Sequence, residues 1–321
     1  MYTRSQFEDA RDIVYRSMQP TLQYPWPLIS QLTGCETWVK HENHTPIGAF
    51  KVRGGLVHMH RRKQAGKTGG VITATRGNHG QSIPFGARIA GIATTIVVPQ
   101  GNSVEKNNAI QALGAELIEV GSDFNAAAEA AQSIAAERGI EMLASYHEDL
   151  VIGVSTYAHE LFDAAGELDA VYVPIGMGSG ISGLISARDM LGLKTDIIGV
   201  VSENANAYAL SFEAGKPVNT NSAATFADGM AVRIAHPVAV DYINKGATRI
   251  VTVSEEEIAE AMRIYYRTIH NIAEGAGAAS LAALLKERDK MSGKRVGVIL
   301  SGGNIDTDKY ITTLSGGVPA P

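Results

Sequence analysis

Ala170-Val-Tyr-Val-Pro-Ile-Gly-Met-Gly-Ser-Gly-Ile-Ser-Gly183 reads as an apolar strand, a glycine turn and the opening of a helix. Valine and tyrosine favour extended backbone, and glycines permit a turn that side chains would block. Outward from this stretch the same order recurs. Beta-rich runs stand at Thr37–Lys40, Val71–Ala74, Thr94–Val98, Glu116–Val120, Ile197–Val201, Arg249–Val253 and Val296–Leu300. Ala-rich amphipathic stretches separate them: Gln81–Ala90, Val104–Leu113, Asn125–Arg138, Ser182–Leu191 and Glu255–His270. Alternation at this spacing predicts an α/β fold, with parallel sheets covered by helices on both faces. The strands of residues 71–120 can form a small sheet of their own and the later strands a larger one. No repeat or Pro-rich linker divides the chain, so a second domain must be an inserted unit, expected over residues 53–147 with 1–52 and 148–321 as the larger domain.

The 321 residues are 45% apolar and 19% charged, enough for one large core or two modest ones. The formal charge of −5 is scattered, with no basic stripe for nucleic acid. The longest apolar runs are strand-length, short of a membrane span. Met1 to Arg11 is polar and lacks the apolar core of a signal peptide. Cys35 is the only cysteine, so no disulfide framework or cysteine metal site is expected. A soluble, cytoplasmic protein is the expectation.

Doubly wound sheets bind ligands at the carboxyl ends of their strands, which directs attention to four loops. In Asn43-His-Thr-Pro-Ile-Gly-Ala-Phe-Lys-Val-Arg-Gly-Gly55, a lysine opens a helix, where anions are favoured over cations. Lys51 makes sense there beside something anionic or electrophilic, and a Schiff base to a phosphorylated aldehyde is both. Thr73-Ala-Thr-Arg-Gly-Asn-His-Gly80 follows a strand and opens a helix. It suits a carboxylate or phosphate, or is an ordinary helix start capped by Asn78. In the glycine turn, Gly178, Gly180 and Gly183 match the dinucleotide fingerprint, and Glu203 stands about twenty residues further on. The pattern places a phosphate on a helix start and leaves its owner open. Val298-Ile-Leu-Ser-Gly-Gly-Asn304 ends the last strand on a hydroxyl, that of Ser301, which can also merely cap the turn.

Together, and in this order, the loops resemble the serine/threonine dehydratase family of fold-type-II pyridoxal-phosphate enzymes, whose members include serine racemase and the hydroxyaspartate and phenylserine dehydratases. The resemblance runs from about Glu36 to Asn304. It implies pyridoxal 5'-phosphate as cofactor, with Lys51 as the Schiff-base lysine and Phe50 packing beside the ring. It implies that Thr75, Arg76, Gly77, Asn78 and His79 form the substrate-carboxylate loop, Asn78 also bonding the ring oxygen. Gly176, Met177, Gly178, Ser179 and Gly180 fall on the phosphate loop, Ser301 on the residue facing the pyridine nitrogen, and Glu274, in Glu-Gly-Ala-Gly, where the family usually has Glu-Pro-Ala-Gly. Most relatives are homo-oligomers. A few bind a divalent cation through a Glu, a carbonyl and an Asp. Glu203 and Ala207 fit the first two positions, but Ala209 stands where the Asp would be, so no metal is expected.

The resemblance implies α,β-elimination from a β-hydroxy-α-amino acid, giving a 2-keto acid and ammonia, with Lys51 as general base. A hydroxyl such as Ser301 at the pyridine nitrogen favours a neutral ring and a weaker electron sink, which suits elimination. The proton for the leaving hydroxyl comes from Lys51 or from the cofactor phosphate. Met177 and Ser179 interrupt the family's glycine run, and Arg76 replaces a small residue. Where racemases have an acid–base serine, this chain has Arg76, which speaks against racemisation. Arg76 either neutralises phosphate at the solvent edge or lines a pocket for a carboxylate or aromatic side chain. His41, His44, His147 and His159 are expected to be structural, surface or helix residues, and His79 to orient backbone. The alternatives are a nicotinamide-dependent dehydrogenase, resting on Gly178–Gly183 and Glu203, and a racemase or synthase of the same fold.

Overall fold

Val71–Ala74, Thr94–Val98 and Ala170–Val173 are buried at every position, as continuous apolar strands covered on both faces must be. A computed structural model describes residues 2–122 and 124–321. Its strands are β1 (Gln23–Pro25), β2 (Glu36–His41), β3 (Val71–Ala74), β4 (Thr94–Val98), β5 (Glu116–Glu119), β6 (Glu141–Met142), β7 (Ala170–Pro174), β8 (Asp196–Ser202), β9 (Arg249–Val253) and β10 (Arg295–Leu300). They form a six-stranded sheet, β1-β2-β10-β7-β8-β9, and a four-stranded sheet, β5-β4-β3-β6. Every pairing is parallel except that of the edge strand β1 with β2. Two largely parallel sheets are the α/β architecture that the strand–helix alternation predicts.

Successive residues of β7 point to opposite faces. Tyr172 joins a core with Val298 and the helices Glu255–Ile269 and Gly275–Lys286, whereas Val171 and Val173 join a second core with the helices Glu148–Ala165 and Ser179–Met190. The expected strands and helices all form, with no end shifted by more than three residues. The helices Glu148–Ala165 and Gly275–Lys286 escape a periodicity search because they are buried nearly all round and carry no single apolar stripe. The strands β1 and β6 are too short to show an alternation.

Among the described residues no helix is long and apolar enough to cross a membrane.

Candidate active site

The pairing of β10 with β2 decides where the lysine loop goes. At their carboxyl ends the Phe50 N–H donates to the Ser301 carbonyl at 3.0 Å, and Gly303 N–H to the Gly48 carbonyl at 2.9 Å. Ala49 and Gly302 form an antiparallel bridge. Lys51 is thereby held beside the end of β10, at the start of the helix Val52–Gln64. The end of β3 supplies Thr75–Asn78 and the helix His79–Ala90; the end of β7 supplies the glycine turn and the helix Ser179–Met190. Both helix starts leave backbone N–H groups without intrahelical partners.

A cavity of about 550 Å³ opens among these ends. Lys51, the whole turn Thr75, Arg76, Gly77, Asn78 and His79, and Met177 lie in its wall. Phe50, Gly176, Gly178, Ser179, Gly180, Glu274 and Ser301 are not among its lining residues. A Cβ on Gly180 would lie 3.6 Å from the Phe50 ring, and Glu274 N–H donates to the Gly302 carbonyl at 3.1 Å. Two glycines of the turn are required by the backbone. Gly178 has φ +99°, and a Cβ on Gly176 would meet the Gly229 carbonyl oxygen at 2.3 Å.

The part of Lys51 that remains accessible lines the cavity. Its amine lies 5.0 Å from the Phe50 ring centroid. Burial pulls the Lys51 pKa down to about 8, against the pull of the Glu274 charge. Burial likewise pushes Glu274 up to about 7, which Lys106 opposes and Asp228 reinforces. His79 is held down to about 3 by burial and then by the Lys51 charge, so it is neutral and no proton donor at physiological pH.

Asn78 does not cap its helix. Its amide nitrogen donates to Glu274 at 2.7 Å and its oxygen accepts from Asn304 at 2.8 Å, so the ordinary-cap reading falls. Ser301 is buried at the end of β10. Glu203 follows the end of β8, in a short 3-10 turn, and reaches Lys286 at 3.4 Å. His41 accepts from the Trp26 indole at 2.9 Å and stacks on His44. His159 lies on the helix Glu148–Ala165, buried against Phe7 rather than at the surface. Among the described residues, His58, His147 and Asp149 bring possible metal-ligating atoms within 4.8 Å of one another, but Asp149 already accepts from Arg61 at 2.8 Å.

Three features of the site lie outside the four loops. Lys106, buried in the first turn of the helix Val104–Ala112, ion-pairs with Asp228 and lies 3.8 Å from Glu274. Burial opposes its charge, yet Asp228 and Glu274 hold its pKa above the ordinary lysine value. A cation at a helix start was the signal that singled out Lys51, and Lys106 carried it too. The irregular segment 221–237 supplies much of the wall, including Asp228, Arg233 and His236. Tyr208 ties that segment to the glycine turn, donating to the Met177 carbonyl at 3.0 Å and accepting from His236 N–H at 3.1 Å. Small residues without period gave no sign of either role.

The residues present fit a phosphorylated aldehyde: an enclosed amine of lowered pKa, a glycine turn on a helix start, and room of the size small-molecule sites have. A family model described as pyridoxal-phosphate dependent enzyme matches residues 16–302. The L-threo-3-hydroxyaspartate ammonia-lyase of Saccharomyces cerevisiae is 31% identical over 295 residues, covering 92% of this chain and 90% of that protein. The L-threonine ammonia-lyase of Thermotoga maritima is 34% identical over 282 residues, 88% of this chain and 70% of that protein. A solved pyridoxal 5'-phosphate-dependent aspartate racemase superposes with a TM-score of 0.90 at 26% identity, covering 96% of this chain and 97% of that one.

Proposed function

The chain belongs to the pyridoxal-phosphate-dependent enzymes, and from that premise we propose that it is a deaminating dehydratase of a β-hydroxy-α-amino acid, with Lys51 as its base. The observation that carries this reading is the Lys51 amine, set in the wall of a cavity between two helix starts. The dinucleotide reading of Gly178–Gly183 gives way to the family match. When bound, the cofactor supplies an electron sink for the α-carbon.

The chain's own residues do the rest. Lys51 would hold the cofactor aldehyde, and Phe50 and Ser301, beside it, are the residues that would pack against the ring and serve its nitrogen. The turn Gly176–Gly180 would hold the phosphate on backbone N–H groups, with Met177 and Ser179 contributing theirs as glycine would. The turn Thr75–His79 takes the substrate α-carboxylate, and Glu274 fixes Asn78 within it. Lys51 removes the α-proton as a free amine and, as ammonium, returns a proton to the departing hydroxyl. The two transfers together release water. The released enamine tautomerises and hydrolyses to a 2-keto acid and ammonia. Racemisation needs a second acid–base group, and where the racemases carry an acid–base serine this turn has Arg76, beside a neutral His79.

The test is the absorption spectrum of the purified holoenzyme, followed while serine, threonine, phenylserine and 3-hydroxyaspartate are added separately. A visible-edge imine band should change with at least one of them as keto acid and ammonia appear in equal amounts. A protein with that band that forms neither product from any of the four would refute the dehydratase reading.

The lowered Lys51 pKa has a measurable sign. Below about 8 the amine is protonated and cannot attack an aldehyde; above it the amine is free. Capture of pyridoxal phosphate by the stripped protein should therefore speed up with pH and level off just above 8. Nα-acetyllysine, as a control, should keep accelerating to about pH 10. Parallel curves for the two would show that the fold does not tune Lys51.

We also infer that residues 53–147 form an inserted domain within one of 1–52 and 148–321, since the four-stranded sheet lies wholly inside that span. A cytoplasmic location accords with the single, buried Cys35, and homo-oligomerisation is what the family resemblance implies.

A further inference from the structure

We propose that Arg76 and Arg233 form a subsite for a second carboxylate, so that the amino acid this chain deaminates is a β-hydroxy dicarboxylate of the 3-hydroxyaspartate type. The inference rests on the dehydratase reading and narrows its substrate. It begins from the charges in the cavity wall. Lys51, Arg76 and Arg233 are cations; Asp228 is the one carboxylate among the described lining residues, close enough to the turn that a Cβ on Gly77 would lie 3.6 Å from it, and Lys106 already holds it. Among the described residues neither Arg76 nor Arg233 has an ion-pair partner or a side-chain hydrogen bond. His79 and His236 add no negative charge. Once the glycine turn takes a phosphate and the Thr75–His79 turn takes the α-carboxylate, two guanidiniums are left facing the same space.

Their positions match a particular geometry. Arg76 is part of the α-carboxylate turn, whose shape is set by Gly77 N–H donating to the Thr75 hydroxyl at 3.1 Å. In 3-hydroxyaspartate the two carboxylates sit on adjacent carbons, so a second carboxylate lies one carbon beyond the turn that grips the first. Arg233 lines the same cavity from the separate segment 221–237, which is held by Thr220 N–H bonding the Arg233 carbonyl at 2.9 Å and by Tyr208 bonding His236 N–H. Each guanidinium offers a planar fork that matches a carboxylate in two parallel hydrogen bonds. A methyl group, as in threonine, or no group, as in serine, leaves both forks to water. An aromatic ring can stack on one guanidinium, but two cations on one ring repel, whereas one carboxylate serves both.

The test uses the holoenzyme. Binding of L-aspartate and L-alanine, which lack a leaving hydroxyl, is followed by the change in visible absorbance. Steady-state kcat/KM is then compared for threo-3-hydroxyaspartate, serine, threonine and phenylserine in wild type, Arg76→Gln, Arg233→Gln and Arg233→Lys. Aspartate should bind at least ~30-fold more tightly than alanine, and threo-3-hydroxyaspartate should be the best substrate by ~100-fold, the effect of a charge-assisted pair. Either glutamine variant should cut the ratio of kcat/KM for hydroxyaspartate over serine by ~10- to 100-fold. Arg233→Lys, a point charge without the fork, should restore part of it. Equal binding of aspartate and alanine by the wild type overturns the subsite whatever the variants do. So does preference for threonine, serine or phenylserine, and in that case the dehydratase reading stands. Deamination of none of the four substrates removes the dehydratase reading, and the subsite with it.

Discussion

Lys51→Met is expected to abolish the visible imine band and to lower kcat by at least ~10³-fold, since the variant loses both the cofactor anchor and the general base. Spectra and keto-acid assays on the purified variant check this. Residual turnover within tenfold of wild type would transfer the base to another group. Lys106 would be the first to examine, because it is the other buried amine near the site, although its pair with Asp228 keeps it charged.

The same substitution should act on stability in the opposite direction. Enclosure lowers the Lys51 pKa from 10.5 to about 8, so the folded chain carries its charged form at a cost of up to about 3 kcal/mol. That cost is fully present below pH 8, where the amine is protonated in both folded and unfolded chains. It fades as pH rises from about 8 to 10.5, where the folded chain alone has already released the proton. The cofactor-free variant should therefore be more stable than the cofactor-free wild type at pH 7, by an amount that shrinks towards pH 10.5. Denaturant unfolding at both pH values measures it, and a gap that widened with pH would contradict the assignment. Losing the Lys51 cation should also move the Glu274 pKa further up.

Arg53→Met is expected to cost about 3–5 kcal/mol of stability, the range for stripping one partner from a buried ion pair. Arg53 is wholly buried two residues beyond Lys51. It donates to Glu42 at 2.7 and 2.9 Å, to Glu160 at 2.5 and 2.9 Å, to the Thr156 hydroxyl at 2.9 Å and to the Thr21 hydroxyl at 3.2 Å. Lys40 and Tyr15 complete the cluster around Glu160, at 2.5 and 2.7 Å. Without Arg53 the variant keeps two buried carboxylates and one lysine.

The pH dependence follows. Burial works to raise the Glu160 pKa, but Arg53 and Lys40 outweigh it and hold the carboxyl below its ordinary value. A carboxylate depressed in this way stabilises the fold above the unfolded pKa of about 4.3, and the contribution is lost as pH falls through the folded value. The deficit of Arg53→Met should thus be widest at neutral pH and close in acid, where the orphaned carboxylates can protonate. Urea titrations at pH 7 and pH 4.5 test this; an equal deficit at both would mean lost packing rather than lost charge. Because Arg53 anchors the first turn of the helix that Lys51 opens, cofactor retention should fall as well.

The strands, the parallel character of the sheets and the three turns that carry the site were legible along the chain, because each is a local matter. Apolar strands show in runs of Val and Ile, turns show in glycines that no side chain could replace, and Lys51 shows as a cation where a helix start repels one. Family resemblance then supplied the cofactor. Which turns would meet was settled only by strand order, and strand order depends on hydrogen bonds between segments far apart in sequence. The β2–β10 pairing sets Ser301 against Phe50; the Lys106–Asp228 pair and the Asn78–Glu274 bond join the two sheets around the cavity. Arg76 could be seen to be unusual, but the second guanidinium, on a segment without periodicity, became visible only when folding placed Arg233 in the same wall. Local sequence determines what each turn can bind. The charge that a cavity presents is a sum over side chains from separate segments, and tertiary structure alone brings those together.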